Sequence, residues 1–594
     1  MTAVLDYGEI MSKKRLTEKK EQNARLVYSD LSLKQGFKKF LLNPLYIFPV
    51  LISTILCYAY YLTHETVTID SLSSDRYYHG LLVAQGRLTA TIIENYLGFE
   101  HLPIAVENII GLICFILGAT VFCIIFDKAK PQSNVLPYTF FTCLYITFPL
   151  MNEYFMFKGS VLTTGGSILL VSFALYFALK IKNLIASILI SSIFIFFAYS
   201  WYESFILVYI GAVFLLLILL ADGQKSQKEL FFNGFWLAPT LFLGFSLEEI
   251  ISNARRLRRG AMTKGILTLA PIFLFFAVLV AAALCAIINI CNITQDNNNA
   301  VGTAWLSSSA TLKSFFYDFI YSFVSKIFCY APFTILFIFL AVAFVLMILQ
   351  TKSTKKPILI FFYLGLALTV FFLSIYRGAE SAYRTEQGIP FYISAITLLL
   401  SSKIINLNGK KTLKIIASLS LVIILTVQIC SSNYWYHVNV LRDKEEKQVV
   451  CNIAKDLEKY DKNKPVIFIG YYQLSNNIKD KYAVKKDSVA GKIINYTSKK
   501  AEKSYTYTAC QTSISSYISW SIYSFSSANV ELKKFFNACG YDFKLGTNEQ
   551  FEEATKKYIN IPSYNDSGYI LDAGDYIVVK VGNYTPNFYE FLYE

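Results

Sequence analysis

Charge is scarce in this chain. Asp, Glu, Lys and Arg make up 16% of its 594 residues, well under the roughly 25% of soluble domains, and the mean hydropathy is +0.44, which argues against a purely soluble enzyme. Histidine numbers only four and none of the eleven cysteines falls in a CxxC pair. Neither a zinc site of the usual Cys/His spacing nor a redox motif is therefore expected. GxSxG, HExxH, a Walker loop and a GxGxxG opening a Rossmann unit are all missing, which disfavours soluble nucleotide chemistry. No repeat or low-complexity tract occurs. Hydrophobic residues reach 55% and aromatics 16%, with Tyr 42 and Phe 49 against Trp 5; this suits helices whose ends lie at headgroup level. The net charge of +14 comes from cations beside hydrophobic runs, a membrane pattern, so no nucleic-acid partner is expected.

Crossing a bilayer takes about 20 mostly apolar residues. Such segments lie near 42–62, 104–126, 135–150, 159–180, 183–200, 204–221, 266–290, 330–350, 357–374, 389–407 and 413–433, so the chain reads as a polytopic α-helical membrane protein with about 11 transmembrane helices. The first run lies too deep in the chain for an ordinary signal peptide. With residues 1–41 inside, the inner segments hold 27 Lys/Arg and the short outer loops only 7, so the positive-inside rule sets the N-terminus in the cytoplasm and, with an odd span count, the C-terminus outside. The inner cluster Arg255, Arg256, Arg258 and Arg259 orients the chain and touches anionic lipid. Residues 229–247 read as an amphipathic helix on the inner surface.

Three regions result: a basic cytoplasmic segment 1–41, a transmembrane domain 42–433 with a first outer loop 63–103, and an extracytoplasmic domain 434–594. In the last, EEKQVVCNIAKDLEKY is an amphipathic helix with Val449, Val450, Ile453 and Leu457 on one face. PVIFIG is a strand, 530–539 a second helix, and GYILDAGDYIVVKV a hairpin turning at Ala573–Gly574. This is a small α/β or α+β domain. Its cysteines 451, 510 and 539 are odd in number and require no disulfide.

The outer loops carry the candidate chemistry. After Asp75 the first loop shows apolar residues at helical spacing, which predicts a helix lying along the membrane surface. Asp70 and Asp75 form an acidic pair able to deprotonate an acceptor hydroxyl. Arg87, after Gly86, is suited to bidentate phosphate binding. The alternative is a solvated loop with Arg87 snorkelling. SIYRGAESAYRTEQGIP offers Arg377, Glu380, Arg384 and Glu386, cations against the positive-inside trend. They read as phosphate binders or as an intraloop salt bridge, with Arg384 favoured because Pro390 starts a helix close by. In SWYESF, Glu203 between aromatics can accept from sugar hydroxyls while Trp201 or Tyr202 stacks on a sugar face, unless this is an interfacial aromatic belt. NEYFMFKGS adds Glu153 and Lys158, the latter a phosphate binder or a snorkelling helix-end lysine.

Taken in order, Asp70 with Asp75, Gly86-Arg87, FPLMNEYFMFKGS, AYSWYES and PSYNDSGYI with DYIVVKV make the chain similar to the bacterial serotype-converting glucosyltransferase family. These are polytopic GT-C superfamily enzymes that modify surface polysaccharide. Two positions depart from that pattern: Lys158-Gly159-Ser160 stands where relatives tend to have Arg followed by Asp, and Glu203 where they tend to have Gln. The resemblance implies a polyprenyl-phosphate sugar donor, a cell-surface polysaccharide or lipid-linked glycan acceptor, and reaction on the extracytoplasmic side of a bacterial inner membrane. It also implies a separate carrier-loading glycosyltransferase and flippase as partners. In that setting Asp70 or Asp75 is the general base of an inverting transfer. Arg87, Arg384, Arg377 and Lys158 meet the leaving phosphate, so no metal or other cofactor is expected. The alternative is a transporter or flippase of lipid-linked sugars, or a non-catalytic envelope assembly protein; the chain shows neither the duplicated halves nor the broken mid-membrane helices common in transporters.

Overall fold

The computed structural model describes residues 27–68, 87–157, 159–222, 356–370, 385–405, 411–482 and 529–583, with isolated positions between. The helices in chain order are α1 (Leu33–Leu41), α2 (Pro44–Thr63), α3 (Leu88–Thr91, continued by a π-turn Ile92–Tyr96), α4 (Ile104–Ala129), α5 (Leu136–Ile146), α6 (Met151–Phe155), α7 (Ser160–Lys180), α8 (Leu184–Tyr199), α9 (Ile206–Asp222), α10 (Lys356–Leu368), α11 (Gly388–Ile405) and α12 (Lys411–Leu457). The C-terminal part holds β1 (Val466–Ile469), α13 (Asn476–Tyr482), α14 (Glu531–Ala538), α15 (Asn548–Lys557), β2 (Ile570–Asp572) and β3 (Ile577–Lys580).

Among the described residues six helices are long and apolar enough to cross a membrane, and α5, α8 and α10 are shorter apolar helices. The expected span 266–290, the amphipathic 229–247 except two positions, and the Arg255–Arg259 cluster lie outside the described residues. The local signals for the helix starts are plain. Asn43 caps α2 through its side chain, with Pro44 at the first helical position, and Asn183 caps α8; both use a side-chain oxygen to meet an otherwise unpaired N–H.

The bundle is closed most tightly where α4 crosses α7. A Cβ on Gly165 would lie 1.8 Å from the Gly111 carbonyl oxygen, and one on Gly118 2.8 Å from the Leu169 nitrogen. Small residues of this kind let membrane helices approach backbone to backbone. Gly165→Ala is therefore expected to push the two helices apart and destabilise the fold by at least about 1–3 kcal/mol, read as a fall in melting temperature of the detergent-purified protein.

One end of the bundle gathers cations. Lys39 pairs with Asp127 at 2.5 Å, Lys128 pairs with Asp30, and Lys180 donates to the carbonyls of Ser29 and Leu31, both at 2.6 Å. These contacts bind α1 to the end of α4, and residues 29–31 just before it to the ends of α4 and α7. The sequence shows 1–41 only as a polar basic segment, yet its last turns form a helix with Ser32 as cap and Phe40 buried. The opposite end receives the first loop and the candidate site.

The small domain has the sheet order β1-β3-β2, with β1 parallel to β3 (Val466 opposite Ile577) and β2 antiparallel to β3 (Ile570 opposite Val579). The hairpin turns at Gly574, φ +95°, as its sequence predicts. α15 was not expected, although Thr547 and Gln550 form a capping box at its start. A larger difference concerns α12. The expected span 413–433 and the expected amphipathic helix near 445–460 are one continuous helix of 47 residues, which passes through the composition change at 434. No Gly or Pro occurs between 411 and 457, so nothing interrupts its backbone hydrogen bonds. Its far end packs Val449, Val450 and Ile453 into the core. Asn452 donates to the Tyr564 hydroxyl (2.9 Å), and Asp456 accepts from Tyr569 (2.7 Å). The Lys459 ammonium and this hydroxyl hold the Asp456 carboxyl below the usual carboxylate range.

Candidate functional site

α3 lies across the end of the bundle opposite the cation cluster. The Thr89 N–H donates to the Ser200 carbonyl (3.2 Å), and the two hydroxyls are 2.6 Å apart. Beneath it Ala90, Leu162 and Trp201 form a buried cluster with Ile93, Phe99 and Ile110 against it. From Leu88 to Tyr96 the first loop is thus helical, as the spacing after Asp75 predicts, ending in the π-turn Ile92–Tyr96, whereas residues 64–68 are not helical.

This docking places Arg87, at the start of α3, over the ring of Tyr202, with 4.9 Å from guanidinium carbon to ring centroid. The Glu203 carboxylate is 3.8 Å from its nearest nitrogen. That separation is an ion pair without a direct hydrogen bond. The Tyr202 ring is supported from its other neighbours by Tyr154, centroids 4.8 Å apart. Trp201 is buried against Gly166, where an added Cβ would fall 2.1 Å from the indole ring. Both rings expected to face a sugar are therefore packed inside, and Glu203, with 48% of its side chain accessible, is the open group. Residues read separately as phosphate binder and sugar binders meet at one corner.

A second feature was not read from the sequence. Gly159 starts α7 with φ +78°, and a Cβ there would lie 3.3 Å from Oε1 of Glu107 and 3.7 Å from Oε1 of Glu94. The left-handed backbone and the crowding both favour glycine. Glu107 is buried in the first turn of α4, where the helix N-terminus favours a carboxylate. An acid inside an apolar run, as in PIAVENIIG, is the signal that would have found it.

The start of the first loop is held by α12. Arg442, wholly buried, donates to the Val67 carbonyl (2.8 Å), to Asn439 Oδ1 (2.9 Å) and to Glu446, also wholly buried. Asp443 accepts the Val67 N–H at 3.0 Å, Asn439 donates to the Thr66 hydroxyl at 2.8 Å, and Thr68 donates to the Met156 carbonyl at 3.0 Å. Residues 66–68 are thus tied on both sides. Asp70, Asp75, Lys158, Arg377 and Arg384 lie outside the described residues. α11 begins at Gly388, with Pro390 in its first turn, preceded by buried Glu386 and Gln387. Among the described residues no group of three or more His, Cys, Asp or Glu is placed to hold a metal ion.

Helices long and apolar enough to cross a membrane, packed into a bundle with a charged, aromatic corner at one end, define a multi-span membrane protein. The chain belongs to the glucosyl transferase GtrII family, whose model matches residues 59–401. It is thus a membrane glycosyltransferase by family. The match runs from the end of α2 into α11 and includes Arg87, Glu107 and Tyr202–Glu203; α12 and the small domain lie beyond it. No curated protein matches the chain.

Proposed function

We propose that this protein transfers a glucose-like hexose from a polyprenyl-phosphate carrier to a cell-surface polysaccharide or lipid-linked glycan on the extracytoplasmic side of a bacterial inner membrane. The observation that carries this reading, within the family, is the Arg87–Tyr202–Glu203 corner at the end of the bundle opposite the Lys39, Lys128 and Lys180 cluster. Cations favour the cytoplasmic side, so the corner faces outward.

In the proposed step an acceptor hydroxyl oxygen attacks the anomeric carbon and its proton passes to Asp70 or Asp75. The bond from that carbon to the phosphate oxygen breaks, and the lipid phosphate leaves with its electron pair, so configuration inverts. Arg87, with Arg384, Arg377 and Lys158, meets the charge that develops on the phosphate. Glu203, beside Arg87, accepts from a sugar hydroxyl, and Tyr202 and Trp201 support it from below. The cations leave no demand for a divalent metal. A carrier-loading glycosyltransferase and a flippase supply the donor, and the small domain covers the reaction site.

The test is transfer of radiolabelled sugar from synthetic polyprenyl-phosphate hexoses to cell-envelope acceptor by purified wild type, Asp70→Asn and Asp75→Asn, each checked by thermal melting. We expect transfer by the wild type and its loss in one well-folded aspartate variant. Donor binding without consumption, with every envelope acceptor, would replace this reading by transport of lipid-linked sugar.

A further inference from the structure

A shallow cleft lies between the end of α2, the start of α4 and Met156, with Tyr61, Glu65, Thr66, Ile104 and Asn108 among its lining residues. Asn108 is 2% exposed, and its side-chain oxygen has no hydrogen-bond partner. The orientation of the amide is fixed by its neighbours. The Tyr61 hydroxyl spends its one proton on the Phe155 carbonyl (2.5 Å), so it can only accept from Asn108 Nδ2, 3.2 Å away. Oδ1 is left as a buried acceptor, an arrangement that costs stability unless a donor arrives.

None of the lining residues is Lys or Arg; the lining His64 has its Nδ1 engaged by the Thr63 hydroxyl and the Tyr60 carbonyl, and the neighbouring Glu65 is an exposed carboxylate. A phosphate is therefore disfavoured here, while a neutral molecule rich in hydroxyl donors is matched. Leu62, Ile104 and Met156 offer an apolar wall to the C–H side of a ring. The segment 151–157 separates this cleft from the Arg87 corner, with Tyr154 against Tyr202 on one side and Met156 lining the cleft on the other.

We propose that this cleft is the subsite for a neutral sugar of the acceptor, one hydroxyl donating to Asn108 Oδ1 and another to Glu65. The acceptor assignment rests on the transferase reading; the sugar-binding chemistry does not. The experiment is saturation-transfer NMR on the detergent-purified full chain with methyl glucoside, galactoside, mannoside and rhamnoside. Wild type should give signal with at least one. Asn108→Leu, and Ala105→Trp at the exposed mouth, should weaken that binding by roughly tenfold, the scale of one lost hydrogen bond to a buried acceptor, and Arg87→Ala should retain it. In the transfer assay Asn108→Leu should raise the KM for acceptor and leave the KM for donor in place. The proposal fails if no glycoside gives signal, or if neither variant changes it, in which case water alone meets Asn108. Glycoside binding lost in both variants, with a wild type that transfers nothing, keeps the subsite and rejects the transferase reading.

Discussion

Exchanging Arg442 for Met should lower stability by about 3–5 kcal/mol, the scale for removing one partner of a buried ion pair. Both side chains of the Arg442–Glu446 pair have 0% exposure, so the substitution leaves a carboxylate without its cation and away from water. It also takes donors from the Val67 carbonyl and Asn439 Oδ1. The double variant Arg442→Met with Glu446→Leu should recover most of the stability, because an apolar pair of similar volume is often no less stable than a buried ion pair. Transfer activity should not return in full, since the Val67 carbonyl, three residues before Asp70, still lacks its Arg442 donor while the bonds of Thr66, Thr68 and the Val67 N–H remain. Melting curves and transfer rates on the same preparations check both halves. A double variant as unstable as the single would show that the cost lies in the lost loop contacts and not in the stranded charge.

The second large effect is on rate. Arg87→Ala should reduce transfer by roughly 10²–10³-fold at saturating donor, the range for removing one preorganised donor to a developing negative charge. Arg87→Lys should recover only part of that loss, since an ammonium keeps the charge but loses the bidentate fork and the stacking on Tyr202. Neither variant should unfold the site. α3 is held by Thr89 on Ser200 and by the Ala90, Leu162 and Trp201 cluster, none of which involves Arg87. Glu203→Gln is the control for the ion pair. A half-exposed pair at 3.8 Å contributes at most about 0–1 kcal/mol, so its melting temperature should barely move. Full activity in a well-folded Arg87→Ala protein would remove Arg87 from the donor site.

Several elements were legible because their causes are local. The first span was expected at 42–62 and is Pro44–Thr63, since about 20 apolar residues behind an Asn-Pro start admit few other structures. The strand PVIFIG and the hairpin at Gly574 were legible for a similar reason: a short β-rich run and a glycine in the left-handed region specify their own conformation. The course of α12 misled because composition changes at 434 while helix propensity does not. The expected boundary tracked the change from apolar to polar composition, which does not require the helix to end.

By itself, then, the sequence determined a polytopic helical chain, its charge asymmetry, the positions of the apolar helices in the described residues and the strands of the C-terminal domain, all of which follow from hydropathy and short-range backbone preference. Tertiary structure alone decided which polar groups meet. Arg87 reaches Tyr202 only because Thr89 docks on Ser200, 111 residues away in sequence. Glu94 and Glu107 converge on Gly159, and Arg442 reaches Val67 across 375 residues. Pairings of that kind leave no periodic trace, because their geometry is set by how helices pack, and close packing fixes neighbours that chain order does not encode.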